Sequence, residues 1–546
     1  MNGPLEYFLH WEKTAPNDVA FRQPFGNTWK TRTWQEAGEE VRKIAGHIES
    51  LKLPAHSHIA ILSKNCTEWI LADIAIMMAG HVSIPVYATL SAESIREVLE
   101  HSESRVIFIG KLDNYTSQKP GIPESIHKIS ISTYGVEEGA IWEDLLKTQQ
   151  PIKNVATFRP DDLLTIIYTS GTTGRPKGVM HSMGSFDTTV KIAHKVVSFP
   201  KRPRVMSYLP LCHIAERLGV EFEGLYLGAQ YSFPESLDSF AKNLADTRPN
   251  YFIAVPRIWA KFQEKILEKM PQKKLDRLLS IPIVSSLVKK TIQKKLGLDK
   301  SELFLSGAAP LSKSILEWYD RLGITIYQVL GMTEDCVYAH FNRPGANKFG
   351  TVGQPMEGLQ VKLAEDGELR VKSPCLMKGY YKEPEMTAAM FDEEGYLKTG
   401  DTGEIDSEGY LTIIGRVKDQ FKTDKGKYIS PAPIELKMTQ NADIEQVCVV
   451  GMGVPQPIAL TVLTAGARQK GRDEIIQSVD STMKEINKHL ESHEQLATAV
   501  IMKNEWTIEN GMMTPSMKLK RNEIEKIHLP NYPKWYHQDG SVVWEE

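Results

Sequence analysis

The sequence predicts an α/β fold, and three observations predict it. Short apolar, β-branched runs recur through about the first 330 residues, helical patterns alternate with them, and 546 residues ask for more than one domain. Strands alternating with helices form parallel-rich sheets covered on both faces. The first helix is marked by Thr33-Trp34-Gln35-Glu36, a capping box in which hydroxyl and carboxylate each satisfy a backbone N–H at the helix start. Ala37, Val41, Ile44, Ile48 and Leu51 then share one helical face. Strands are expected at 59–62, 82–86 and 106–109, with a helix over 94–101. The longest apolar stretch, 69–85, contains Asp73, His81 and Gly80, so it reads as a buried helix leading into a strand; a bilayer span needs about 20 apolar residues. Further strands are expected at 163–167, 251–255, 303–305 and 324–327. Together these make a large N-terminal domain of two parallel-rich sheets with helices.

From residue 350 the pattern changes. The runs 359–363, 367–371 and 410–414 are short strands cut by Gly and Asp turns, as in a small β-barrel over about 350–416. Beyond Arg416, runs at 447–450 and 460–463 and a helix carrying Ile475, Ile476, Val479, Met483, Ile486 and Leu490 on one face make a compact α+β unit. The expected division is therefore 1–416 and 417–546.

Composition excludes several functions. With 65 Lys and Arg against 68 Asp and Glu, no chain-wide charge draws the protein to nucleic acid, and no nucleic-acid partner is expected. The five cysteines, Cys66, Cys212, Cys336, Cys375 and Cys448, are odd in number, scattered and never spaced C-x-x-C. Neither a disulfide framework nor a zinc knuckle follows, and a cytoplasmic location is expected. Residues 1–6 lack a basic flank followed by an apolar core, so no secretory signal is expected.

The chemistry concentrates in Tyr168-Thr169-Ser170-Gly171-Thr172-Thr173-Gly174-Arg175-Pro176-Lys177-Gly178, directly after an apolar strand. Glycines let backbone N–H groups approach an anion, hydroxyls add donors and the lysine supplies charge, so the loop suits phosphate oxygens. It is not the P-loop of kinases and GTPases: Pro176 stands where G-x-x-x-x-G-K needs glycine, and no Ser or Thr follows Lys177.

This segment resembles the signature of the adenylate-forming superfamily, which contains acyl-CoA synthetases, peptide-synthetase adenylation domains and beetle luciferases. The likeness is nearest to the long-chain acyl-CoA synthetases. Further motifs follow in the family's order. Tyr208-Leu209-Pro210-Leu211-Cys212-His213 resembles the segment between the ATP and acyl pockets. Ser306-Gly307-Ala308-Ala309-Pro310 resembles the adenine-flanking turn, and Gly331-Met332-Thr333-Glu334 the segment whose acidic residue reaches Mg²⁺. Tyr396-Leu397-Lys398-Thr399-Gly400-Asp401 resembles the ribose-binding motif, and Gly415-Arg416-Val417-Lys418-Asp419 the interdomain hinge. Thr514-Pro515-Ser516-Met517-Lys518-Leu519-Lys520-Arg521 resembles the C-terminal lysine motif.

The resemblance implies an acid–thiol ligase using ATP, Mg²⁺ and CoA. Its catalytic positions are Lys518, Thr172, Lys177, His213 and Glu334, with Glu334 also the metal residue. Its nucleotide contacts are Thr169, Ser170, Gly171, Thr173, Gly174, Gly307, Ala308, Ala309, Leu330, Gly331, Met332, Thr333, Asp401, Ile413 and Arg416. Lys418 is the implied pivot of a mobile C-terminal domain, and Lys425, Gly426 and Lys427 form the loop that faces CoA. A medium- to long-chain fatty acid is the expected substrate. Transfer to a carrier protein, an aryl acid as substrate, and a catalytically silent nucleotide-binding protein are the alternatives. Two positions depart from the family pattern: Leu330 stands where an adenine-stacking tyrosine is usual, and Met517 where many members have glycine.

The segment 261–300 is lysine-rich and contains the apolar cluster Ile281, Pro282, Ile283, Val284, Leu287 and Val288. It suits either a peripheral contact with an anionic membrane or an ordinary solvated helical pair. Monomer and homodimer both remain open.

Overall fold

The computed structural model describes residues 3–170, 176–514 and 517–546, the side chain of Ser170 excepted. Its largest sheet has eight strands in the order Gly379–Tyr380, Pro176–Ser182, Leu163–Ser170, Val82–Val86, His58–Leu62, Val106–Ile109, His127–Ser130 and Ala140–Ile141. From Leu163–Ser170 onward all its pairs are parallel. Val82–Val86 and Val106–Ile109 are buried at every position, as strands covered on both faces must be. A second sheet begins with three parallel strands, Tyr251–Ala254, Leu303–Ser306 and Ile326–Leu330, and continues antiparallel through His340–Phe341 and Gln354–Pro355. The fold is the expected α/β class.

The capping box forms: the Thr33 hydroxyl accepts from the Glu36 N–H and the Glu36 carboxylate from the Thr33 N–H. The apolar stretch is indeed a helix, Thr67–Met78, buried at all 12 positions, followed by a strand. The charge of Asp73 within it is matched by Arg217, 2.6 Å away, whose guanidinium also donates to Ser83 Oγ at 2.7 Å and Thr165 Oγ1 at 2.9 Å. Both charged side chains are fully buried. Arg217 opens a π-helical turn, Arg217–Phe222, so the ion cluster ties the segment after His213 to the central sheet.

Three local expectations are corrected. The strand expected from 324 starts at Ile326: Gly323 is left-handed at φ 74°, and the Ile324 N–H returns to the Tyr319 carbonyl, so 323–324 close the preceding helix. The barrel-like part is an open antiparallel sheet of Gln360–Leu363, Glu368–Lys372, Leu397–Ile405 and Leu411–Arg416, whose outer strands do not pair with each other among the described residues. In the helix Arg472–Asn487, Ile475, Val479, Met483 and Ile486 are buried, but Ile476 is exposed and Leu490 lies beyond the helix end.

The last part of the chain has a mixed four-stranded sheet of Ile444–Val450, Ile458–Leu463, Thr498–Ile501 and Val542–Trp544. Its two hydrophobic cores draw only on residues from Phe421 onward. All five cysteines are buried and unpaired in disulfides. Among the described residues, no helix is long and apolar enough to cross a membrane.

Candidate active site

Leu163–Ser170 and Pro176–Ser182 form an antiparallel hairpin in which Thr169 lies opposite Lys177, and Ser170 opposite Pro176. Gly171, Thr172, Thr173 and Gly174 lie outside the described residues. The Lys177 ammonium sits over the face of Tyr380, 5.3 Å from the ring centre, and the Tyr380 hydroxyl donates to Glu334 Oε1 at 2.8 Å. One aromatic ring therefore links the lysine of the phosphate loop to the acidic residue of a distant motif. Tyr380 was missed by sequence reasoning; its only local signal is the Gly379-Tyr380-Tyr381 run, and Gly379–Tyr380 pairs with the hairpin strand at the sheet edge.

The turn carrying Thr333 and Glu334 is pinned from inside. Asp335, almost fully buried, accepts from the Met332 N–H at 2.8 Å and the Tyr338 N–H at 3.2 Å. Burial pushes its carboxyl up to about 7, against the pull of those backbone bonds. His181 Nε2 lies 2.6 Å from the Thr333 carbonyl and donates to it. Burial holds that imidazole down to about 4, so it is neutral at pH 7. Gly331 is required by space, since a Cβ there would lie 2.4 Å from Val337 Cα.

The turn after Leu303–Ser306 places Gly307 beside Val329, where a Cβ would meet the carbonyl oxygen at 3.1 Å. Ala308 is left-handed at φ 68°, a conformation that favours glycine. Ala309 is exposed. Leu330, Met332 and Ile413, expected at the nucleotide, share one apolar cluster. Leu330 gives this cluster an aliphatic side chain where the motif resemblance implies an adenine-stacking ring.

Asp401 and Arg416 face each other across paired strands, with Arg416 Nε 2.8 Å from Asp401 Oδ1. Burial raises the Asp401 carboxyl, opposed first by Arg416 and then by Lys518. Lys518 comes from the far end of the chain. Lys518 is exposed, yet surrounding protein lowers its ammonium's pKa, chiefly by desolvation and then by Arg416, while Asp401 and Glu334 oppose that. The same ammonium adds to the burial that holds His213 down to about 4. His213 caps the helix that follows it: Nδ1 accepts from the Ala215 N–H at 3.2 Å, which leaves a neutral ring with its proton on Nε2. Lys518 thus acts electrostatically on Asp401 and His213, and Glu334 and Arg416 act on it, so residues of five separate motifs influence one another's charge.

The other expected residues stand apart. Lys418 lies in the short 3-10 turn Val417–Asp419 that leads out of the Arg416 strand. Lys425, Gly426 and Lys427 are exposed at the tip joining Phe421–Lys422 to Tyr428–Ile429, with Gly426 at φ 77°. No hydrogen bond or ion pair joins them to the cleft among the described residues.

Glu334 fits a role at Mg²⁺. Its Oε1 is taken by Tyr380, and Oε2 makes no hydrogen bond among the described residues, where no group of three or more metal-ligating side chains occurs. One free carboxylate oxygen suits a small hard cation held mainly by substrate phosphates and water.

A sequence profile described as AMP-binding enzyme matches residues 8–381, and one described as AMP-binding enzyme C-terminal domain matches 418–538. The chain belongs to the AMP-binding enzyme family. As such it is a member of the adenylate-forming superfamily. This AMP-binding enzyme is 28% identical to the long-chain-fatty-acid–CoA ligase FadD15 of Mycobacterium bovis, over 97% of this chain and 96% of that one. It is 33% identical to a putative fatty-acid–CoA ligase, fadD11, of Mycobacterium tuberculosis, over 67% of this chain and 72% of that one. Among solved structures, it is similar to the adenylation domain of a carboxylate reductase from Mycobacterium chelonae, with TM-score 0.83 and 20% identity over 98% of this chain and 91% of that one. It is also similar to the anthranilate CoA ligase AuaEII in complex with anthranoyl-AMP, with TM-score 0.78 and 19% identity over 96% of this chain and 97% of that one.

Proposed function

We propose that this enzyme activates a medium- to long-chain fatty acid with ATP and passes the acyl group to CoA. The observation that supports the reading is the pairing of motif residues distant in sequence, Arg416 with Asp401 at 2.8 Å and Lys177 through Tyr380 with Glu334, with Lys518 acting electrostatically on the same groups. Relatives named as fatty-acid–CoA ligases, similar over nearly the whole chain, support the choice of acid and acceptor.

A carboxylate is a poor acyl donor because its leaving group is oxide. In the first half-reaction its oxygen attacks the α-phosphorus of ATP, the α–β bridging bond breaks and diphosphate leaves. Two anions meet in that step, and fixed positive charge aimed at them lowers the barrier. On this reading Lys177 and the backbone of 169–174 hold the phosphates, with Thr172 donating. Lys518 bridges the carboxylate and the α-phosphate, Asp401 accepts from the ribose hydroxyls, and Gly307, Ala308, Ala309, Leu330, Gly331, Met332, Thr333, Ile413 and Arg416 enclose the nucleoside. Glu334 would hold Mg²⁺, which would supply Lewis-acid stabilisation of the phosphate charge. In the second half-reaction the CoA sulfur attacks the acyl carbon and AMP leaves. Residues 417–546 pivot at Lys418 for this step, withdrawing Lys518 and presenting Lys425, Gly426 and Lys427.

The segment 261–300 supports contact with an anionic membrane, where such acids partition. It carries 11 Lys or Arg against 4 Asp or Glu, and Ile283 and Leu287 are 87% and 67% exposed. A peripheral, cytoplasmic location fits.

The test is a panel of aliphatic and aromatic acids, with diphosphate release measured without CoA and thioester formation measured with it. Long aliphatic acids are expected to support both, and Lys518→Ala to lower diphosphate release about 10²–10³-fold. Adenylate formed from aryl acids alone, or never transferred to free CoA, overturns the assignment.

A further inference from the structure

We propose that Arg257 is the positioning residue that seats the Lys518 hairpin against the body of the enzyme for the first half-reaction, an inference that rests on the function proposed above. Arg257 is the second residue of the helix Pro256–Lys269, which follows directly from the strand Tyr251–Ala254. That strand pairs with Leu303–Ser306, which leads into the Gly307–Ala309 turn. The guanidinium is therefore fixed relative to the nucleotide side of the cleft.

Across the gap it makes two contacts. Nη2 lies 2.6 Å from Glu445 Oε1 on the strand Ile444–Val450, and Nη1 donates to Met513 Sδ at 3.6 Å. Met513 bridges to Leu519, the Lys520 N–H returns to the Met512 carbonyl at 2.8 Å, and the Thr514 N–H to the Lys518 carbonyl at 2.8 Å. Met513 is thus one leg of the hairpin that carries Lys518. Its sulfur also accepts from Gln446 Nε2 at 3.4 Å, and that amide donates to the Trp506 carbonyl at 3.0 Å. One arginine of the body grips both the tail's sheet and its lysine hairpin.

Among the described residues, Arg257–Glu445 is the ion pair that joins 1–416 to 417–546. Both side chains are largely shielded, at 30% and 21% exposure, so the pair is stronger than a solvated surface contact. A contact made in one pose and broken in the other lowers only the first, so it shifts the balance between the two half-reactions.

The experiment uses the full chain with Arg257→Met, Arg257→Lys, Glu445→Gln and the exchanged pair Arg257→Glu with Glu445→Arg. Adenylate formation is measured without CoA, and thioester formation from supplied acyl-adenylate with CoA. Spin labels on Glu365→Cys and Glu491→Cys, both exposed positions, report the body-to-tail distance with and without AMP. Arg257→Met is expected to slow adenylate formation about tenfold, the scale of a charged hydrogen bond, while thioester formation holds or rises and the distance distribution broadens. The exchanged pair restores much of the first rate and the narrow distribution, and Arg257→Lys stands between. Equal loss in both half-reactions at unchanged distances, or no change in either, overturns the proposal. If the unaltered protein adenylates no acid, the functional reading fails, and the distances alone decide: a distribution indifferent to Arg257→Met overturns the latch.

Discussion

Glu216 shows how strongly one buried side chain reports its surroundings. It lies in the turn after His213 and accepts from the Tyr208 N–H at 2.9 Å. Burial pushes its carboxyl up to about 8, against hydrogen bonds from Ser207, Tyr208 and Leu209 that favour the charged form. In the unfolded chain the group ionises near an ordinary glutamate value, so between pH 4.5 and 8 the folded state holds the proton and the unfolded state releases it. Its effect on stability is therefore fully favourable below about pH 4.5 and declines as pH rises toward 8. Glu216→Gln keeps the acceptor oxygen and removes the titration. The variant's urea midpoint relative to the parent is expected to rise from pH 5 to pH 8, by a difference on the order of 3 kcal/mol. A constant difference across that range contradicts the assignment.

The helices of 261–300 behave as one surface element. In Pro282–Leu296, Ile283, Leu287, Lys290 and Lys294 recur at helical spacing, and all four are exposed. The apolar end of this stripe meets a basic end, and Lys273, Lys274 and Arg277 of Gln272–Leu279 are exposed beside it. Each lysine near an anionic bilayer contributes about 1 kcal/mol, and buried methylenes add to that. Cosedimentation with vesicles containing phosphatidylglycerol is expected to be strong in low salt and weak with neutral vesicles. Ile283→Glu with Leu287→Glu is expected to cut it at least tenfold without changing turnover of a water-soluble short acid. Equal binding by that double variant shows the helices to be an ordinary solvated pair.

The two ends of the chain differ in how they are held together. Because the tail's cores contain no residue before Phe421, calorimetry is expected to show two unfolding transitions, and AMP to raise the one belonging to the larger part. A single transition with equal van't Hoff and calorimetric enthalpies contradicts this. The same separation explains what could be read before the fold was known. Local patterns were legible: the Thr33 capping box, the buried strands and the glycine-rich hairpin each depend on neighbours in sequence. The start of the Ile326 strand was misplaced because Ile324, apolar and β-branched, spends its N–H on closing a helix instead. The open sheet read as a barrel because short strands with tight turns carry no mark of whether the outer edges meet. In the cleft, the ordered motifs were visible, but Tyr380, Asp335, His181 and the Arg257–Glu445 pair were not. Tyr380, His181 and the Arg257–Glu445 pair act through partners far away in sequence, and neither composition nor spacing encodes such pairs. Asp335 bonds only to the backbone of its own turn, and nothing in its spacing marks it as buried.

The buried sulfurs carry a chemical corollary. Burial raises every thiol in the chain, Cys66 to about 11 and Cys375 and Cys448 to about 12, with Cys212 and Cys336 higher still. A catalyst that manufactures activated acyl groups in the presence of a free mercaptan runs the hazard of acylating itself. Here its own sulfhydryls are buried and held protonated, so no thiolate of the chain competes with the incoming thiol for the activated acyl group.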